Sequence, residues 1–210
     1  MHELLTGFAM TTFLSVLPVL NPPEAIPVFV ALTNGQPRDY RLRMARETAI
    51  YVLAIMVVSL LAGRAVLAFF GVAVGHLQVA GGLIVAKTAW EMSTGSVRAP
   101  QSNAAAGGAP PDIAFSPMAL PILSGPGVIA LLIATATHSD RLLDYVGAIG
   151  ALILLALLTY VSLRLSGHVS RWLGEKGIDA MTRVMGFIVL AIAVSFIASG
   201  TAALVRMLGF

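Results

Sequence analysis

The sequence predicts an all-α, polytopic membrane protein with six transmembrane helices arranged as two inverted three-helix repeats. Composition is the first observation, because 58% of the 210 residues are hydrophobic and only 11% are charged. An ordinary soluble domain carries roughly 25% charged residues. The second observation is a series of apolar segments of membrane-spanning length. The third is a Pro/Gly motif that recurs at corresponding positions of the two halves, in the first and fourth helices.

Six apolar segments approach or exceed the length of about 20 residues that a transmembrane helix needs. They cover Leu4–Thr33, Thr48–Phe70, Leu77–Thr94, Phe115–Thr137, Leu143–Leu165 and Thr182–Met207. Residues 96–114 are rich in Ala, Gly and Pro and predict a flexible cytoplasmic linker. The linker divides a single membrane domain into a first repeat at 1–95 and a second repeat at 115–210.

Positive charges in alternate loops predict how the chain is oriented. They are Arg38, Arg41, Arg43 and Arg46 in the first loop, Arg98 in the linker, and Arg171 and Lys176 in the fifth loop. Because such residues collect on the cytoplasmic side, we expect both termini on the outer side of a bacterial cytoplasmic (inner) membrane. This bias also explains the net charge of +3. We therefore expect the lipid bilayer, and no nucleic acid, as a partner, with homo-oligomerisation left open.

Two similar motifs indicate that the halves arose by duplication. The first span contains Pro18-Val-Leu-Asn-Pro-Pro23-Glu-Ala-Ile26, and the fourth contains Pro121-Ile-Leu-Ser-Gly-Pro126-Gly-Val-Ile129. Pro, Leu, Pro and Ile recur at the same spacing. Each half has an odd number of spans, so the second half must enter the membrane from the opposite side. Inverted repeats of this kind are found in many secondary transporters, whose binding sites lie at paired helix breaks.

Local chemistry predicts a break in each of these two spans. Pro22 and Pro23 remove two amide donors from the first helix. Asn21 is the predicted N-cap of the helix that restarts, and Glu24 is placed to complete a capping box. In the fourth span Ser124 is the predicted N-cap, and a Gly-Pro-Gly turn follows it.

Paired breaks are suited to binding a small zwitterion. A helix start offers free N–H groups to a carboxylate, and a helix end offers free carbonyls to an ammonium or a cation. The predicted substrate-binding residues are Asn21, Pro22, Pro23, Glu24, Ser124, Gly125, Pro126 and Gly127. Glu24 is also the candidate ion-coupling residue, with Na⁺ or H⁺ as the ion and no other cofactor or metal expected. Alternatively, the breaks serve helix packing alone.

Other classes of function are less well supported by the residues. An intramembrane serine hydrolase at Ser124 would need a general base nearby, but all four histidines fall at predicted helix ends or loops. We therefore predict no enzyme activity. No ring of charge indicates a channel filter, although a channel or a membrane scaffold remains the alternative to transport. Lys87 and Glu91, one helical turn apart, are expected to pair with each other near the end of the third span.

The sequence resembles the MarC family of bacterial inner-membrane proteins. The matching segments are Asn21-Pro-Pro-Glu-Ala-Ile-Pro-Val-Phe-Val-Ala-Leu-Thr33, Ala119-Leu-Pro-Ile-Leu-Ser-Gly-Pro-Gly127, Val79-Ala-Gly-Gly-Leu83 and Arg183-Val-Met-Gly186. The resemblance implies a six-span transporter of small neutral amino acids such as glycine and alanine. Export of another small metabolite or a drug is the alternative that the family name suggests. The sequence departs from the family at Glu24, where the family usually has Gly.

Overall fold

The computed structural model describes residues 2–33, 35–94, 112–137 and 141–207, and these residues form helices joined by short connections. The elements are α1 (His2–Leu20), a 3-10 turn (Pro22–Glu24), α2 (Ala25–Leu32), α3 (Arg38–Phe69), α4 (Val74–Thr94), a π-helical segment (Ala114–Leu123), α5 (Pro126–Thr137) and α6 (Leu142–Met207). The prediction of an all-α protein is confirmed. Most of the predicted linker at 96–114 lies outside the described residues.

Helix α6 has two apolar parts, Leu142–His168 and Gly186–Met207. They are separated by a break at Gly174, where φ is 63° and ψ is 176°. A positive φ is costly for residues with a Cβ, and glycine adopts it freely. The predicted fifth and sixth spans fall on these two parts.

Within the described residues, three helical segments are long and apolar enough to cross a membrane, namely Arg38–Phe69, Leu142–His168 and Gly186–Met207. The first and fourth predicted spans are interrupted as expected, so each is divided into shorter pieces. Helix α3 starts at Arg38, well before Thr48, where the predicted apolar span begins. The helix therefore extends beyond its apolar part into a polar, arginine-rich segment. The count of six spans and the inverted relation of the halves stay predictions.

The outer surface of the bundle is apolar where a soluble protein would be polar. Large hydrophobic side chains are exposed along α3, at Val58 and Leu61, and along α6, at Ile153 and Leu157. Extended exposed apolar surface marks a contact with a partner or a membrane. The arrangement fits helices solvated by lipid.

Helix α4 packs closely along the second part of α6, and glycines line the contact. A Cβ on Gly200 would lie 2.8 Å from the carbonyl oxygen of Gly75, and a Cβ on Gly82 would lie 3.1 Å from that of Ala193. At the other end of the contact, a Cβ on Gly186 would lie 2.8 Å from the backbone nitrogen of Ser93. Small residues allow such close backbone approach between membrane helices, so Gly82, Gly186 and Gly200 have a packing role here.

Helix α5 is held against α3. Gly63 of α3 gives space to Ile133, whose side chain would collide with a Cβ at that position. Arg64 follows it and donates a hydrogen bond from Nη1 to the carbonyl oxygen of Ala136 at 3.2 Å. A cation at a helix C-terminus also interacts favourably with the helix dipole. These contacts fix the position of α5, which begins at the second break.

Candidate functional site

The first helix break is centred on Asn21. Its backbone N–H donates to the carbonyl oxygen of Leu17 at 2.9 Å and completes the last turn of α1. Asn21 then adopts the left-handed conformation, with φ 41° and ψ 62°, which asparagine tolerates better than most residues. Pro22 and Pro23 follow without amide donors, so the carbonyls of the last turn of α1 lose their helical partners. The break predicted at these prolines is confirmed.

The side chains at this break interact differently from the prediction. Asn21 makes no capping hydrogen bond from its side chain to the backbone. Its Nδ2 instead donates to Oε2 of Glu24 at 3.1 Å. The predicted capping box is therefore wrong, because the left-handed backbone turns the amide group of Asn21 toward the carboxyl group and away from the helix start. Glu24 is half-buried.

The second break follows the π-helical segment. In the last hydrogen bond of the π-helical segment, the N–H of Ser124 donates to the carbonyl oxygen of Ala119 at 2.8 Å. In the first hydrogen bond of α5, the N–H of Ile129 donates to the carbonyl oxygen of Gly125 at 3.2 Å. Gly125 thus takes the N-cap position that the sequence assigned to Ser124. Pro126 occupies the first position of α5, as its fixed φ favours. The first turn of α5 leaves amide N–H groups without helical acceptors.

The two breaks lie next to each other in the fold. A Cβ added to Gly127, in the first turn of α5, would lie 3.4 Å from Cγ1 of Val19, in the last turn of α1. The same Cβ would collide with Cγ2 of Val85 on α4. The end of α1 therefore approaches the start of α5, with α4 alongside. We call this contact of Val19, Val85 and Gly127 the junction.

Each break holds a buried polar atom with no hydrogen-bond partner in the described parts of the chain. These atoms are Oδ1 of Asn21 and Oγ of Ser124. Asn21 is 2% exposed and Ser124 is fully buried. Buried polar groups are almost always hydrogen-bonded, because leaving one unpaired costs about 1–3 kcal/mol. Both breaks thus offer polar atoms to water or to a bound solute.

A cavity of about 630 Å³ lies beside the junction, between α1, α4, α5 and the second part of α6. Ser15 and Leu131 line it, one helical turn from Val19 and Gly127 respectively. Its polar lining consists of Ser15, Gln78, Thr135, Ser195 and Ser199. None of the eight residues predicted to bind substrate lines this cavity, and Gly127 is the one among them that forms part of the junction.

Other polar residues in the helices have structural roles. Lys87 and Glu91 approach to 4.0 Å on the exposed face of α4, as predicted. Thr33 and Thr135 donate hydrogen bonds to the carbonyls one turn before them, at 2.7 and 2.9 Å. The bond from Arg64 to α5 was missed by sequence reasoning, because its acceptor is a backbone carbonyl distant in sequence.

These features define an all-helical integral membrane protein with two interrupted helices in contact. The chain belongs to the MarC family, since residues 6–205 match the description "MarC family integral membrane protein". The family predicted from the sequence motifs is therefore confirmed.

Curated relatives cover nearly the whole chain. The UPF0056 membrane protein MJ1677 of Methanocaldococcus jannaschii is 36% identical over 196 residues, which are 92% of this chain and 95% of that protein. The UPF0056 inner membrane protein MarC of Salmonella typhimurium is 33% identical over 204 residues, 91% of this chain and 92% of that protein. The protein of the same name from Escherichia coli O1:K1 / APEC is 33% identical over the same length. No solved structure matches the chain.

Proposed function

We propose that this protein is a secondary transporter that moves a small neutral amino acid, such as glycine or alanine, across the membrane by alternating access. The observation that carries the proposal is the pair of helix breaks in contact, each with a buried polar atom that has no hydrogen-bond partner among the described residues. Broken helices at corresponding positions of two halves are the usual binding elements of secondary transporters. A packing role alone would leave Oδ1 of Asn21 and Oγ of Ser124 without hydrogen-bond partners among the described residues.

The chemistry of the two breaks is complementary to a zwitterion. The start of α5 offers amide N–H groups and the positive end of a helix dipole to a carboxylate. The end of α1 offers carbonyl oxygens freed by Pro22 and Pro23 to an ammonium group. Oδ1 of Asn21 and Oγ of Ser124 complete the polar environment. The close packing of Gly127 against Val85 and Val19 supports a small solute, because even a methyl group on Gly127 would collide with Val85.

Glu24 is the proposed coupling residue. A carboxyl group at membrane depth is costly when ionised and usually has a functional role. Its hydrogen bond from Asn21 links it directly to the first break. Binding of H⁺ or Na⁺ at Glu24 would neutralise this charge and change how Asn21 is held.

The proposal includes a route and an orientation. The cavity of about 630 Å³ is the path by which the solute reaches the junction from one side. The halves are related as inverted repeats of three spans each, and the protein lies in the cytoplasmic membrane with both termini outside. The charged loops support this orientation, and the relatives from Salmonella typhimurium and Escherichia coli, which are called inner membrane proteins, support the location.

The test is uptake of labelled glycine and alanine into liposomes that contain the purified protein, with and without sodium and proton gradients. We expect saturable uptake that is strongly reduced in Ser124→Ala. The matched control is Ser59→Ala, since Ser59 is also buried but its hydroxyl donates to the carbonyl of Ile55 at 2.7 Å. Equal uptake by both variants would exclude Ser124 from the site. Absence of saturable uptake by the unmodified protein under every gradient would reject amino-acid transport and favour a channel or a scaffold.

A further inference from the structure

A second pocket lies beside α2, shares no lining residue with the cavity already described, and is lined by basic residues from both halves of the chain. Its volume is about 580 Å³. Arg38 and Arg41 come from the start of α3, and Arg164 and His168 come from the end of the first part of α6. The buried ring of Phe29 from α2 lies beside them. Residues distant in sequence thus converge on one small volume.

The arginines of this pocket lack acidic partners. Among the residues that the structure describes, no carboxylate lies within 4.0 Å of Arg38, Arg41 or Arg164. Arg164 donates a long hydrogen bond, 3.5 Å from its Nη1 to the hydroxyl of Tyr160, and its guanidinium lies 5.9 Å from the centre of that ring. Three cations in one pocket repel each other unless an anion is present. Arginine is also the side chain best suited to bidentate recognition of phosphate.

The guanidinium of Arg41 has a defined place against α6. Its Nη2 lies 3.0 Å from the position that a Cβ on Gly167 would occupy. A larger residue at 167 would therefore displace the charged end of Arg41. The excess of positive charge expected on one side of a membrane requires arginines at that surface, but it does not require them to meet in a pocket. The arrangement is that of a binding site.

An apolar stripe leads away from the pocket along the outside of α6. Leu154, Leu158, Val161 and Leu165 are exposed and recur at helical spacing. Leu165 belongs to both the stripe and the pocket lining. A ligand with a phosphate group at one end and hydrocarbon at the other would satisfy both surfaces at once. Free phosphate would use only the basic part.

We infer that this pocket binds the phosphodiester headgroup of an anionic phospholipid, whose acyl chains lie along the stripe on α6. Basic pockets between transmembrane helices are known to bind such headgroups. The bound lipid would bridge α3 and α6, and hence the two halves of the chain. The inference does not depend on the transport proposal, because the pocket is separate from the junction.

The test is native mass spectrometry of the whole protein in neutral detergent, titrated with dioleoyl phosphatidylglycerol and with dioleoyl phosphatidylcholine. Each arginine near a lipid phosphate contributes about a fivefold gain in affinity. We expect preferential binding of the anionic lipid, a loss of about fivefold in Arg41→Gln or Arg164→Gln, and about 25-fold in the double variant. The control is Arg183→Gln, which removes one charge at a residue paired with Asp179 outside the pocket.

Several outcomes would overturn the inference. Equal affinity for the two lipids would do so, as would an equal loss in Arg183→Gln. Displacement of the lipid by millimolar inorganic phosphate would show a site for a soluble anion instead. If the double variant fails to fold, Arg164→Gln alone decides, since Arg164 is exposed and its substitution leaves the core intact.

Discussion

The contact of Gly127 at the junction gives a prediction whose size follows from the structure. In Gly127→Ala the new Cβ would overlap Cγ2 of Val85 and lie 3.4 Å from Cγ1 of Val19. Overpacking of this kind typically costs about 1–3 kcal/mol. Alanine gains back roughly 0.5–1 kcal/mol relative to glycine in a helix. We expect a net loss of about 1–2 kcal/mol in the free energy of unfolding.

The assay is the thermal unfolding midpoint of the purified protein, in which this loss corresponds to a fall of roughly 2–8 °C. The matched control is Gly150→Ala in α6, because a Cβ at Gly150 meets nothing within 4 Å. That variant should be neutral or slightly more stable. Uptake should also fall in Gly127→Ala, since the added methyl group overlaps Val85 and so displaces α5 from α4 at the junction.

A double-mutant cycle makes the reasoning refutable. In Gly127→Ala combined with Val85→Ala, the atom that collides is gone, so the double variant should be more stable than the sum of the two single changes by about 0.5–3 kcal/mol. The reasoning fails if the two changes are additive. It also fails if Gly127→Ala is no more destabilising than the Gly150→Ala control.

Three further predictions concern charged residues. Arg64→Gln removes the charged group that donates to the last turn of α5, so the free energy of unfolding should fall by about 1 kcal/mol and the thermal unfolding midpoint should fall with it. An unchanged midpoint would show that Arg64 does not stabilise the end of α5. Glu24→Gln keeps an acceptor for the amide of Asn21, so the fold should persist while uptake loses its response to a proton gradient; a preserved response would exclude Glu24 as the proton-coupling group. Lys87→Ala should change stability by less than about 0.5 kcal/mol, because its pair with Glu91 is exposed, and should leave uptake unchanged; a loss of uptake would instead implicate the pair in the solute path.

The helix breaks could be predicted from the sequence because their causes are local. Pro22, Pro23 and Pro126 lack amide donors wherever the rest of the chain lies, so α1 and α5 had to end and begin near them. The capping at each break could not be predicted in the same way. Asn21 adopts a left-handed conformation and Gly125 takes the place expected of Ser124, because the backbone path at a break depends on the helices packed around it.

Contacts between distant segments were outside the reach of sequence patterns. The approach of Val85 to Gly127 joins the two halves of the chain, and no local signal indicates it. The basic pocket could not be predicted either. In the sequence, the arginines of the first loop indicate only the orientation of the chain, and the pocket forms because α3 and α6 lie side by side. The packing partners of the α4 glycines on α6 also lie far away in the sequence and are indicated by no local signal.

The glycine contact between α4 and α6 also limits how the molecule can change shape. Backbone carbonyls stand about 3 Å from where side-chain atoms would begin at Gly82 and Gly186. If one helix slid along the other by a single residue, a Cβ of a neighbouring residue would meet a carbonyl oxygen, so shear at this surface is blocked. Helix α4 and the second part of α6 must therefore move as one rigid unit. Any opening of the junction has to come from α1 and α5 rocking against that unit, and backbone amides along the contact should be among the slowest in the protein to exchange with deuterium.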